Sequence, residues 1–150
     1  MQCQPKDKVE HKLKCFQECC REAGLKVTHQ RREVFQEIAE AMDHPSAETL
    51  HSRVRERIPA ISLDTVYRTL ATFEEMGLIG KVQLSDDSFR FDPFHEPHHH
   101  LFCVECKGIT DFDWNEADAL PLPEELEGWG EVTDRQVVLR GVCAKCLPKS

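Results

Sequence analysis

Apolar residues in the first half of the chain recur at steps of three and four, whereas in much of the second half they alternate with polar ones. The first spacing predicts helices and the second strands, because side chains share a helix face every ~3.6 residues and a strand face every second residue. Residues 8–23 read as a charge-rich helix that Gly24 ends. A second helix follows Thr28, whose hydroxyl can cap it, and Val34, Phe35, Ile38 and Ala39 form its apolar face. Ser46 can cap a third helix that Pro59 stops. Ser62 opens a fourth, with Leu63, Val66, Leu70, Phe73 and Met76 in register, and Gly77 closes it. LIGKVQL and SFRFD, flanking a polar SDDS turn, read as a β-hairpin. Helices followed by such a hairpin are the order of a winged helix-turn-helix.

PFHEP then reads as a proline-punctuated linker. Beyond it HHHLFCV and GITDFDW predict two strands, and EVTDRQVVLRGV predicts a long final strand. Between them the acidic segment 115–130 is broken by Pro121 and Pro123, so any helix there is expected to be short. The expected fold class is α+β: a winged-helix module over residues 1–92, a linker over 93–97, and a small α/β module over 98–150. No internal repeat or low-complexity tract interrupts this plan.

Composition changes the picture in two places. No apolar run approaches a membrane span and the first ten residues are polar, so the expected location is the cytoplasm, with no membrane partner. The net charge of −8 is unevenly spread. Residues 1–80 hold 12 Lys/Arg against 13 Asp/Glu, and residues 81–150 hold 7 against 14. The near-neutral first half can present a basic face to nucleic acid, while the acidic second half suits a hard cation.

Candidate chemistry lies mostly in that second half. Cys103 and Cys106, with Cys143 and Cys146, form two Cys-x2-Cys pairs. Four thiolates on two tight turns suit a closed tetrahedral structural Zn(II) site. Cys3, Cys15, Cys19 and Cys20 lack that spacing, and helix packing is the simpler role for those on the first helix. His98 and His100 share one face of their strand while His99 points away. Asp111 follows on the next strand with Asp113 as a rival; Asp92 ends the hairpin, and His44 precedes the third helix. Imidazoles and carboxylates without sulfur suit Fe(II), Mn(II) or Zn(II).

The segments AGLKVTHQR, DHPSAETL, LDTVYRTLATFEEMGLI, FRFD, HHHLFCVEC and GVCAKC, in this order, resemble the ferric uptake regulator (Fur) family across nearly the whole chain. The resemblance implies a homodimeric repressor of double-stranded operator DNA, its second module serving dimerisation. It implies structural Zn(II) on the four paired cysteines, and regulatory Fe(II) or Mn(II) on His44, Asp92, His98, His100 and Asp111. DNA contacts would fall on Lys26, and on Thr65, Tyr67 and Arg68 of the fourth helix. Aspartate at both 92 and 111 is similar to the family's peroxide-sensing branch, where iron-uptake members usually carry glutamate. That branch implies oxidation of His44 or His98 when Fe(II) meets peroxide, in a one-use sensor and not an enzyme. The family's further metal site uses a histidine where Arg135 stands, and the proline-broken segment also departs from the family. Rival readings are a metal-availability regulator of the same family, a zinc hydrolase on His98 and His100, and a thiol redox protein on Cys103–Cys106.

Overall fold

A computed structural model of the chain describes residues 9–85, 88–93 and 98–149. Residue 8 of the first expected helix, Cys3, the centre of the SDDS turn and residues 94–97 of the linker lie outside the described residues. The chain divides into two compact units, residues 1–95 and 96–150.

Unit 1 begins with α1 (Val9–Glu22). Gly24, at φ 71°, then turns the chain back, with Leu25 N–H donating to the Cys20 carbonyl at 2.8 Å. Three capped helices follow. Thr28 accepts from Arg31 N–H at the start of α2 (His29–Glu40), Ser46 from Thr49 N–H at the start of α3 (Ala47–Arg55), and Ser62 from Thr65 N–H at the start of α4 (Leu63–Glu75). Each serine or threonine satisfies an amide that the first helical turn cannot. Pro59 does not set the end of α3. The helix closes four residues earlier, where the Val54 carbonyl takes both the Arg57 and Ile58 amides. The wing is an antiparallel hairpin of β1 (Gly80–Ser85) and β2 (Ser88–Asp92), with Val82 opposite Arg90 and Gly80 opposite Asp92. One core gathers these elements. Phe16 stacks on Phe35 at 4.4 Å and meets Phe73 edge-on at 5.3 Å, among buried Ile38, Leu50, Val54, Val66, Leu70 and Phe91.

Unit 2 is a three-stranded sheet of order β4-β3-β5, where β3 is His99–Cys103, β4 is Ile109–Phe112 and β5 is Val138–Gly141. β4 pairs antiparallel with β3, and β5 pairs parallel. A five-residue α5 (Asn115–Ala119) and a single 3-10 turn at Glu124–Leu126 are all the helix in the proline-broken segment. The long final strand expected from EVTDRQVVLRGV is a four-residue one. β3 offers a parallel partner only from His100 to Cys103, so pairing stops at Val138. Upstream, Val137 N–H turns to the His99 ring and Arg135 to carbonyls of α5.

Candidate metal centres and nucleic-acid interface

In unit 2 the two Cys-x2-Cys turns meet because β3 and β5 run side by side in the same direction, Cys103 opposite Gly141. Each turn closes on its own first cysteine: Lys107 N–H donates to the Cys103 carbonyl and Cys146 N–H to the Cys143 carbonyl, both at 2.9 Å. Lys107 takes a left-handed φ of 62° to complete the first turn. All four sulfurs lie within 4.8 Å of one another, with Cys106 and Cys143 at 3.9 Å. Tetrahedral zinc with Zn–S of ~2.3 Å puts its sulfurs ~3.8 Å apart, so the donor set fits. Backbone amides of Cys143 and Cys106 hold the Cys103 thiol down to about 6, which favours the thiolate that a metal needs. Hydrogen bonding with Cys143, and then burial, push Cys146 up to about 12, so a metal must displace its proton.

The same unit places His98 and His100 two residues apart, their rings 4.6 Å between centroids. Asp111 is the cross-strand partner of His100. Its Oδ1 stands 3.2 Å from His100 Nε2 and 3.5 Å from His98 Nε2. Asp113 lies past the end of β4 and is exposed. Register alone makes Asp111 the carboxylate beside the two imidazoles.

His99 faces the other way and is 1% exposed. Val137 N–H donates to its Nδ1 at 3.0 Å, and its Nε2 lies 2.8 Å from Asp118 Oδ1. An amide can only donate, so Nδ1 carries no proton and Nε2–H is the donor to Asp118. Arg135 Nη1 donates to the carbonyls of Ala117 and Asp118. The third histidine is therefore a clamp between β3, α5 and the approach to β5. Nothing in the spacing of Asp118 or Val137 along the chain announces this partnership.

In unit 1, His44 Nε2 and Asp92 Oδ2 lie 3.1 Å apart, both residues buried. Forty-eight residues separate them. The wing strand supplies the connection: Phe91 N–H donates to the Pro45 carbonyl at 3.0 Å, drawing the loop before α3 onto β2. His44 adopts φ 48°, a left-handed conformation that costs a side-chain-bearing residue roughly 1–2 kcal/mol. Imidazole and carboxylate are donors that suit a first-row metal, and the histidine–aspartate cluster of unit 2 offers the same donor types.

Three of the four residues expected to contact DNA, Thr65, Tyr67 and Arg68, lie on α4. The Arg68 side chain is 82% exposed and its Nε pairs with Asp64 one turn earlier at 2.9 Å. Tyr67 is 46% exposed, a surface position and not a core one. Its hydroxyl donates to the Glu48 carboxylate on α3, which holds the Glu48 acid below the usual carboxylate range. Thr65, beside the Ser62 cap, and Arg68 line a polar cleft of ~280 Å³ with Thr28, Gln30 and Arg31. Lys26 is exposed just before this cleft, and its carbonyl accepts from Arg31 Nη1 at 2.7 Å. On α1, Cys20 belongs to the core and Cys19 packs against it, and burial pushes the Cys20 thiol up.

A winged helix, a four-thiolate centre and histidine–aspartate clusters define a class of protein, the metal-binding winged-helix regulators. The Ferric uptake regulator family model matches residues 22–129, and the chain belongs to that family. It is 31% identical over 140 residues to the peroxide operon regulator of Bacillus subtilis, covering 93% of this chain and 96% of that one. The peroxide-responsive repressor PerR of Staphylococcus aureus (strain Mu50) is 28% identical over 144 residues, covering 95% and 97%. The solved structure of the Helicobacter pylori ferric uptake regulator Fur superposes with a TM-score of 0.74 at 22% identity, over 96% of this chain and 97% of that one, a likeness of fold.

Proposed function

We propose that the chain is a dimeric, metal-dependent transcriptional repressor that releases operator DNA when peroxide oxidises it. The observation that carries this reading is the pair of clusters built from histidine and aspartate alone, in a chain similar to a peroxide operon regulator and a peroxide-responsive repressor. Cys103, Cys106, Cys143 and Cys146 would hold Zn(II) as a staple of unit 2. His44 and Asp92 of unit 1, with His98, His100 and Asp111 of unit 2, would together hold Fe(II) or Mn(II). Ligands drawn from both units would tie their relative orientation to metal occupancy. In a dimer this sets the spacing of two α4 helices, so metal and DNA favour one state and each raises affinity for the other.

On DNA, α4 would enter a major groove. Arg68 offers a forked donor to guanine or phosphate, and Tyr67 offers an apolar ring to a thymine methyl. Lys26 and the threonine-lined cleft beside it would meet the backbone.

Fe(II) at the histidine–aspartate site supplies peroxide cleavage, which Mn(II) does not readily perform. His44 and His98 would be the side chains that take up the product. One imidazole ring carbon gains an oxygen in a two-electron oxidation, and the second peroxide oxygen leaves as water. The altered ring is a poor ligand, and each molecule does this once, so the protein consumes itself as a sensor and does not turn over. Among the described residues no helix is long and apolar enough to cross a membrane.

The test is DNA binding by the Fe(II)- and Mn(II)-loaded protein, each with and without peroxide. Loss of binding only in the iron form with peroxide supports the reading. An iron form indifferent to peroxide, with DNA binding that follows metal concentration, would replace it with a metal-availability regulator.

A further inference from the structure

His44 is held in its left-handed conformation by more than its own loop. Arg90, half-buried on β2, reaches across with Nη1 donating to the His44 backbone carbonyl at 3.2 Å. The next residue donates its amide to the Pro45 carbonyl at 3.0 Å, and the one after it, Asp92, stands 3.1 Å from His44 Nε2. Three consecutive residues of one strand thus grip two consecutive residues of one loop. On the loop's other side Asp43 is tied to α3 by a two-pronged pair with Arg53, at 2.7 and 3.2 Å. The carbonyl that Arg90 engages belongs to the residue whose φ is 48°. A left-handed residue without glycine's freedom persists only where its surroundings over-determine it. Among these contacts, Arg90 is the one side-chain donor to the strained residue's own backbone.

We propose that Arg90 is a positioning residue of the regulatory metal site: it presets the His44 imidazole beside Asp92, so that this half of the site is assembled before a metal arrives. The assignment rests on the reading of His44 and Asp92 as metal ligands. Preorganisation of this kind raises affinity by removing the ordering cost from the binding step. Arg90 also lines a groove of ~520 Å³ in unit 1 together with Tyr67 and Glu48. The strand that grips the ligand loop and the helix proposed to read DNA thereby line one groove.

The experiment measures Mn(II) affinity of the full-length, zinc-loaded protein by chelator competition, with zinc content and thermal melting as controls. Arg90→Ala should weaken Mn(II) binding about tenfold or more with zinc content and dimer unchanged. Arg90→Lys keeps a donor and should recover much of that loss. His44→Ala should weaken binding further, and adding Arg90→Ala to it should change little, since Arg90 acts through His44. Additive losses in that double variant would overturn the proposal. So would wild-type Mn(II) affinity in Arg90→Ala with DNA binding alone reduced, which would reassign the guanidinium to a phosphate. Wild-type affinity in His44→Ala is a separate outcome: it would overturn the ligand reading itself, and this inference with it.

Discussion

The two units close their cores in opposite ways. Unit 1 interlocks Phe16, Phe35 and Phe73 at the centre of a cluster to which all four helices and the wing contribute. Its exposed large apolar residues, among those described, are only Met42 and Tyr67. Unit 2 buries Cys103, Ile109 and Ala117, while Leu101, Leu120, Trp129, Leu139 and seven further large apolar side chains stay exposed. Leu101 and Leu139 lie opposite each other on neighbouring strands, each 43% exposed. A module of this size rarely gathers enough apolar area to stand alone, and metal or oligomerisation makes up the difference. The contrast teaches where each activity can reside. A self-sufficient core can carry a rigid reading helix, while a core completed by metal and a second copy can make assembly conditional.

Zinc removal should separate the two units most sharply. A chelator, or Cys143→Ser, should unfold unit 2 and abolish the dimer while unit 1 keeps its helices, because structural zinc contributes ~10–16 kcal/mol in small modules. Hydrogen exchange read unit by unit checks this; equal loss of protection in both units would erase the contrast. Phe16→Ala is the converse. It should destabilise unit 1 by ~3–5 kcal/mol in a denaturant melt and leave zinc content unchanged. A smaller effect is expected on the surface of α4, where Arg68→Ala and Tyr67→Ala should each cost ~1–3 kcal/mol of specific DNA binding without disturbing dimer or metal. Lys26→Ala should cost least, weakening binding evenly across sequences and lowering the log–log salt slope by ~0.9, as expected for one lost phosphate contact.

The sequence made legible what depends on short range. Thr28, Ser46 and Ser62 announce their helices because a cap acts within three residues. His98 and His100 share a face because a strand alternates. Asp111 could not be separated from Asp113 until β3 and β4 were in register, since that choice belongs to the pairing and not to either strand. His44 and Asp92 were connected only by family resemblance; the stitching of β2 to the loop before α3 is what joins them physically. The Glu48–Tyr67 bond, the His99–Asp118 clamp and the grip of Arg90 on His44 are side-chain contacts between elements remote in sequence, without a local signature. The expected long final strand is short for a related reason: alternation states that a segment can pair, and the length of its partner decides how far it does.

If the proposed mechanism operates, ligand imidazoles are the target of peroxide. Peptide mass spectrometry of the Fe(II)-loaded protein after peroxide treatment tests it most directly. One added oxygen is expected on the peptide carrying His44 or the one carrying His98, and none in the Mn(II)-loaded control. Oxidation confined to the cysteines, with both histidines unmodified, would contradict it.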